Sequence, residues 1–144
     1  MLQSQILTFE IEGKTFGLLA SAVVEIVRAV KATSIDAPGI DAIFNFRGHM
    51  MPLIDLRRRL AMPPRAVSAS DHFIIVHVDQ TSRQAALKVD HARTLIEVSV
   101  EELQLAHSKN NFAGVARLDS DIIVIYEVQK LIDDIDFNID YASI

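Results

Sequence analysis

"NFRGHMMPLIDLRRRL", residues 45–60, is the stretch on which the reading of this chain turns. An arginine and a glycine separate two apolar segments, and a proline, an aspartate and a basic run follow. "HMMPLID" has the residue types of a strand, with Pro52 suited to an edge or a bulge because it has no N–H to donate. Asp55 is placed to cap a short helix over "LRRRL", which Pro63 and Pro64 close. Three consecutive residues on a short helix point in three directions, so Arg57, Arg58 and Arg59 read as a solvated face rather than an anion site. Arg47 differs. Set between Phe46 and Gly48, it reads as a side chain held at a strand end and able to grip a carboxylate with two hydrogen bonds.

The carboxylate to consider is Glu25. It lies inside the apolar "VVEIVR", where a lone charge is costly unless it is paired or reaches the surface. Around these two points the chain reads mostly as strands. Leu7, Phe9 and Ile11 alternate with Thr8 and Glu10, the period of a half-buried strand, and Gly13 supplies a hairpin turn into Thr15 and its successors. "ASAVVEIVRAV" reads as a short helical turn leading into a strand. "HFIIVHVD" and "QAALKVD" form two strands, and "FAGVARL" and "IIVIYEV" pair across Asp119, Ser120 and Asp121. Ser99 and Glu102 fit a capping box at a helix start. Val128, Leu131, Ile132 and Ile135 follow helical spacing in a last helix, before an acidic tail over 133–144 that is expected to fray.

Composition excludes several classes. At 144 residues the chain fits one domain, 1–144, large enough to bury a core unaided, and with no Cys it forms no disulfide. Lys+Arg 14 against Asp+Glu 19 gives a formal charge of -5, which repels nucleic acid and anionic lipid. Mean hydropathy is +0.25, yet every apolar run is cut far short of the roughly 20 residues a spanning helix needs. "MLQSQILTF" has no basic segment followed by an apolar core, so the reading is a cytoplasmic protein without direct membrane insertion. Many short strands with brief helices point to small barrels or a sandwich, and the prolines at 63 and 64 mark a candidate seam near 61–68.

The candidates for chemistry are weak. Phe73, Ile75, His77 and Asp79 share one face of a strand while His72 falls on the other, so no metal is expected there. His49 and His91 read as turn or strand-end residues, and the pairs Asp119/Asp121 and Asp133/Asp134 as solvation. No phosphate-cradling loop of the Walker or Rossmann kind and no nucleophile in a recognisable setting is present, so no catalytic residue and no cofactor are assigned.

The order "EIVR", "APGIDAIFNFRGHMMPLIDLRRRL", "IIVHVDQ", "AALKVDHARTLIEVSVEEL", "FAGVARLDSDIIVIYEVQKLI" resembles the CheW family of chemosensory adaptors from about Ile6 to Ile132. The pattern N-x-R-G-x-x-x-P-x-x-D-L-R is met by Asn45, Arg47, Gly48, Pro52, Asp55, Leu56 and Arg57. This sequence departs from the family at Phe46, where Leu is common, at Ala85 and Ala86, where a Gly is common, and at Ala92, where Val is usual. The resemblance implies a mainly β fold of two small SH3-like five-stranded β-barrels packed together, with a few short helices. It also implies a non-enzymatic adaptor that couples a CheA-type histidine kinase to the cytoplasmic tips of methyl-accepting chemoreceptors in membrane-associated arrays. In the family the residues matching Glu25 and Arg47 contribute to a receptor-facing groove, to which Val23 and Met50 are added here. Kinase contacts are expected around Ala92, Leu95, Gly114 and Ala116. The departures leave open a paralogous pathway, such as twitching motility or second-messenger control. A different class, a small β-barrel enzyme or ligand-binding protein using His77 and Asp79, would require a deep closed pocket instead of a shallow apolar groove.

Overall fold

The computed structural model describes residues 3–79, 82–99, 112–118 and 121–138, and its strands fall into two sheets. In chain order they are β1 (Gln3–Ile11), β2 (Lys14–Leu19), β3 (Val23–Arg28), β4 (Thr33–Ala37), β5 (Ile40–Phe46) and β6 (His49–Asp55). After helix α1 (Leu56–Arg59) come β7 (His72–His77), β8 (Gln84–Val89), β9 (His91–Ser99), β10 (Phe112–Leu118), β11 (Asp121–Tyr126) and helix α2 (Val128–Ile132). One sheet runs β10-β11-β2-β1-β9 and the other β3-β7-β8-β6-β5-β4. The mainly β architecture with brief helices stands, but among the described residues no pairing joins β9 to β10 or β3 to β4, so neither sheet closes into a barrel.

The seam also moves. Residues 61–68 connect α1 to β7 within the six-stranded sheet, and the chain changes sheet instead at the 3-10 turn Ala20–Ala22 and at Asp90. Two prolines mark a loop, but which sheet the following strands join is decided by the parallel pairing of β6 with β8, Leu53 opposite Ala86. That pairing is long-range and leaves no local trace. Ser99 ends β9, and the rest of the helix start expected there, with Glu102, lies outside the described residues.

Three apolar clusters explain why both faces of each sheet are hydrophobic. The largest sits between the sheets and under α2, joining Leu7, Phe9 and Leu18 of one sheet to Ile74, Val76 and Leu87 of the other, with Leu131 and Ile132 closing it. Phe44, Met51, Phe73 and Ile75 fill the far face of the six-stranded sheet. Ile6, Ala116, Ile123 and Ile125 fill that of the five-stranded sheet. Among the described residues no helix is long and apolar enough to cross a membrane.

Arg57 corrects the expectation of a solvated basic face. Asp55 caps α1 by accepting the Arg57 N–H at 3.0 Å, and this turn aims the Arg57 side chain inward, leaving it 3% exposed. Its guanidinium donates to both oxygens of Asp90 at 2.9 and 2.5 Å, to the Pro63 carbonyl at 2.8 Å and to Glu12 in the β1–β2 turn. Arg65 adds contacts to Asp90 at 2.9 Å and to the fully buried Asp71 at 2.6 Å. Arg57 therefore ties α1 to two segments of the other sheet. Burial pushes the Asp90 carboxyl up, but the Arg57 hydrogen bonds, the Glu12 N–H and Arg65 outweigh it and hold it at about 2. The bonds to Asp90 raise the Arg57 pKa against the opposing effect of burial. Arg58 does reach solvent, pairing with Asp41 at 2.7 Å, and the mostly buried Arg59 donates to the Leu131 carbonyl at 2.9 Å.

Candidate functional site: a groove beside Arg47

The β5–β6 hairpin closes with Phe46 opposite His49, so Arg47 and Gly48 alone make the turn. Both have positive φ, 52° and 87°, as the tight hairpin turn that matches strand twist requires. Gly48 adopts this without strain, and Asn45 Oδ1 accepts the Gly48 N–H at 2.9 Å to fix the turn. Asn45 and Gly48 thus build the platform on which Arg47 stands.

From that platform Arg47 reaches β3. Its two terminal nitrogens donate to Glu25 Oε1 at 2.6 Å and Oε2 at 3.0 Å, and its Cζ lies 4.5 Å above the Phe46 ring, a cation–π contact. In the sheet order β7, β8 and β6 stand between β3 and β5. Laid flat at about 4.8 Å per strand, the two would be roughly 19 Å apart, so the ion pair requires a strongly curled sheet. With the side chains of Arg47 and Glu25 66% and 31% exposed, solvent screens the pair, and it adds at most about 1 kcal/mol to stability.

The curl leaves an open groove of ≈ 750 Å³ lined by Val24, Glu25, Arg47, His49 and Met50, and also by Arg83 and Phe137 from later in the chain. It opens where β6 outruns its neighbour: pairing with β8 starts at Leu53. Pro52, opposite Ile43 at a position without hydrogen bonds to β5, faces that gap with no N–H to satisfy. The proline thus stands in a strand that is interior overall but locally an edge at this residue, as the missing N–H requires.

Of the residues singled out from sequence, Glu25, Arg47 and Met50 meet in this groove, Met50 being 44% exposed. Val23 does not line it. A register shift between Val23 and Glu25 makes Val24 a bulge, so Val23 turns to the inter-sheet core and Val24, 40% exposed, takes its place. Strict alternation in "VVEIVR" carries no sign of that extra residue. The four residues considered for the kinase do not form one surface. Leu95, 57% exposed, lies on edge strand β9, whereas Gly114 and the fully buried Ala116 lie on β10 at the opposite edge. Ala92 is half-buried, its N–H donating to His72 Nδ1 at 3.0 Å.

His77 and Asp79 line a separate open hollow of ≈ 460 Å³ with Ser21 and Glu127. Among the described residues no three His, Asp or Glu side chains are grouped to hold a metal ion. His72 packs against His91 with tilted rings 4.8 Å between centroids, away from His77 at the other end of β7.

Comparison with known proteins agrees with this architecture. The CheW-like domain profile matches residues 5–136. A chemotaxis protein CheW of Treponema pallidum (strain Nichols) is 25% identical over 141 residues, covering 90% of this chain and 82% of the relative. One of Bacillus subtilis (strain 168) is 27% identical over 139 residues, covering 93% and 84%. The crystal structure of the scaffolding protein TtCheW from Thermoanaerobacter tengcongensis superposes with a TM-score of 0.76 at 27% identity, over 92% of this chain and 94% of that one. With a profile match over nearly all of its length and a matching fold, the chain belongs to the CheW-like domain family.

Proposed function

We propose that this chain is a non-catalytic chemosensory adaptor that couples a CheA-type histidine kinase to chemoreceptors, and that the groove beside Arg47 receives the receptor's cytoplasmic tip. Family membership supports the adaptor role, and one observation supports the site: a solvent-screened Arg47–Glu25 pair flanked by exposed Val24 and Met50. An ion pair that stabilises its own fold so little is available to a partner, and exposed apolar residues beside it suit the apolar stripe of an inserted helix. The protein acts in the cytoplasm, recruited to membrane-associated arrays. The kinase contact is assigned to the exposed Leu95 edge of β9, because Gly114 and Ala116 turn their surface inward.

Titration of a purified receptor-tip fragment tests the site. Arg47→Ala should weaken binding about tenfold, near 1.4 kcal/mol, while melting within a few degrees of the parent. Glu25→Ala should act alike, and the double variant should lose less than the sum because the two side chains touch. Unchanged tip binding in both single variants, with kinase coupling intact, defeats the assignment.

A further inference from the structure

The acidic tail read from sequence as frayed is pinned as far as it is described. Beyond α2, Asp134 pairs with Arg59, and the Ile135 N–H donates to the Ile132 carbonyl at 3.1 Å. Ile135 is 8% exposed and packs so closely on the β4–β5 turn that a Cβ at Gly39 would lie 2.6 Å from its Cγ1. Asp136 then accepts the Asn138 N–H at 2.9 Å in a tight local turn, and Arg83 donates to Asn138 Oδ1 at 3.1 Å. Between these pins Phe137 is half-buried. Part of its ring packs on the inter-sheet core, and the rest borders the Arg47 groove beside Ser82 and Gln84.

We propose that residues 135–138 form the far wall of the groove and that Phe137 binds the apolar stripe of the partner helix from the side opposite Val24 and Met50. The inference rests on the groove being the receptor site and adds to it a second wall from the other end of the chain. Three properties carry it. The backbone around Phe137 is fixed on both sides, so little ordering remains to oppose binding. An aromatic ring with one face already packed presents the other as a rigid apolar anchor, the type of residue that dominates alanine scans. A groove lined by apolar side chains from two distant parts of the chain, Val24 and Met50 with Phe137, suits a ridge of a helix, with Arg47, Glu25 and Arg83 along the same groove for its polar flanks.

The test uses the full chain and a purified receptor-tip fragment. Phe137→Ala should weaken binding about five- to tenfold, and Phe137→Leu, which keeps apolar contact, by less than about threefold. In the unaltered protein, amides of 135–138 should gain hydrogen-exchange protection when the fragment is added, a readout independent of whether a variant folds. If Phe137→Ala binds as the parent and those amides gain no protection while Arg47→Ala still weakens binding, the second wall is wrong and the groove stands. If Arg47→Ala also binds as the parent, both fall.

Discussion

Replacing Arg57 by Met keeps much of the stem's volume and removes only the charged head, so it isolates what the buried guanidinium contributes. Breaking a buried ion pair from one side costs about 3–5 kcal/mol. Two facts place this case at the lower end. Asp90 keeps Arg65 at 2.9 Å and the Glu12 N–H at 2.9 Å, and the Glu12 side chain, 41% exposed, rehydrates on losing its partner. The expected loss is about 3 kcal/mol, which for a chain of this length lowers Tm by roughly 10 °C.

Acid supplies a second, independent check. The Asp90 carboxyl is held at about 2 in the fold against an ordinary 3.8. A depressed carboxyl contributes stability that is complete above the unfolded value and is lost as pH falls through the folded one. The gap corresponds to about 2 kcal/mol at neutral pH, roughly half of it gone by pH 3. In Arg57→Met the main hydrogen bonds holding the carboxyl down are gone while burial still pushes it up, so this acid-sensitive part shrinks. Urea denaturation of both proteins between pH 7 and pH 3 should show a stability difference of about 3 kcal/mol that narrows as pH falls. A difference below about 1 kcal/mol at pH 7, or one that stays constant to pH 3, refutes the strut.

Two further measurements probe the core and the joint between the sheets. Ile74→Ala in the inter-sheet core and Ile123→Ala in the five-stranded sheet's own cluster should each cost about 2–5 kcal/mol in chemical denaturation; if both melt with the parent, the strand faces are wrong. His72 accepts the Ala92 N–H through Nδ1 and so must keep that nitrogen unprotonated; burial first, then His91 and Arg28, lower its pKa below 6.5, against the opposing charge of Asp71. Stability should therefore be complete above pH 6.5 and decline below it, and His72→Asn, an acceptor that does not titrate, should flatten the decline between pH 7.5 and 5.5. An unflattened curve removes the latch between β7 and β9.

The strands and hairpins were legible because alternation and turn residues are local. Leu7, Phe9 and Ile11 face the core as their period requires, and Arg47 with Gly48 forms the turn its neighbours indicate. Ion pairing of Glu25 with Arg47 was also readable, since a carboxylate inside "VVEIVR" needs a partner or the surface and Arg47 is an arginine able to grip it with two hydrogen bonds. What escaped depends on contacts distant in sequence. Arg57, Arg58 and Arg59 are chemically identical in the sequence, and only the position of Asp90, brought in at the sheet crossing, sends the first of them inward. The bulge at Val24 and the return of Phe137 to the groove are likewise set by register and by the docking of α2 on the core.

The opening motif therefore serves two purposes at the two ends of one strand. β6 spans seven residues, about 23 Å of extended chain, with the Arg47 turn before it and the Arg57 strut just after it. It is held by β5 from Leu53 out to His49 and by β8 from Leu53 to Asp55, so one paired strand links the hairpin turn to the joint between the sheets. Substitutions at its inner end should act first on stability, because Arg57 is buried and multiply bonded, and on the proposed reading those at its outer end should act first on the partner, because Arg47 is screened by solvent. Phe46 fits this division: its ring packs edge-on against Phe44 toward the sheet's own cluster, with centroids 6.2 Å apart, while its face supports the Arg47 guanidinium.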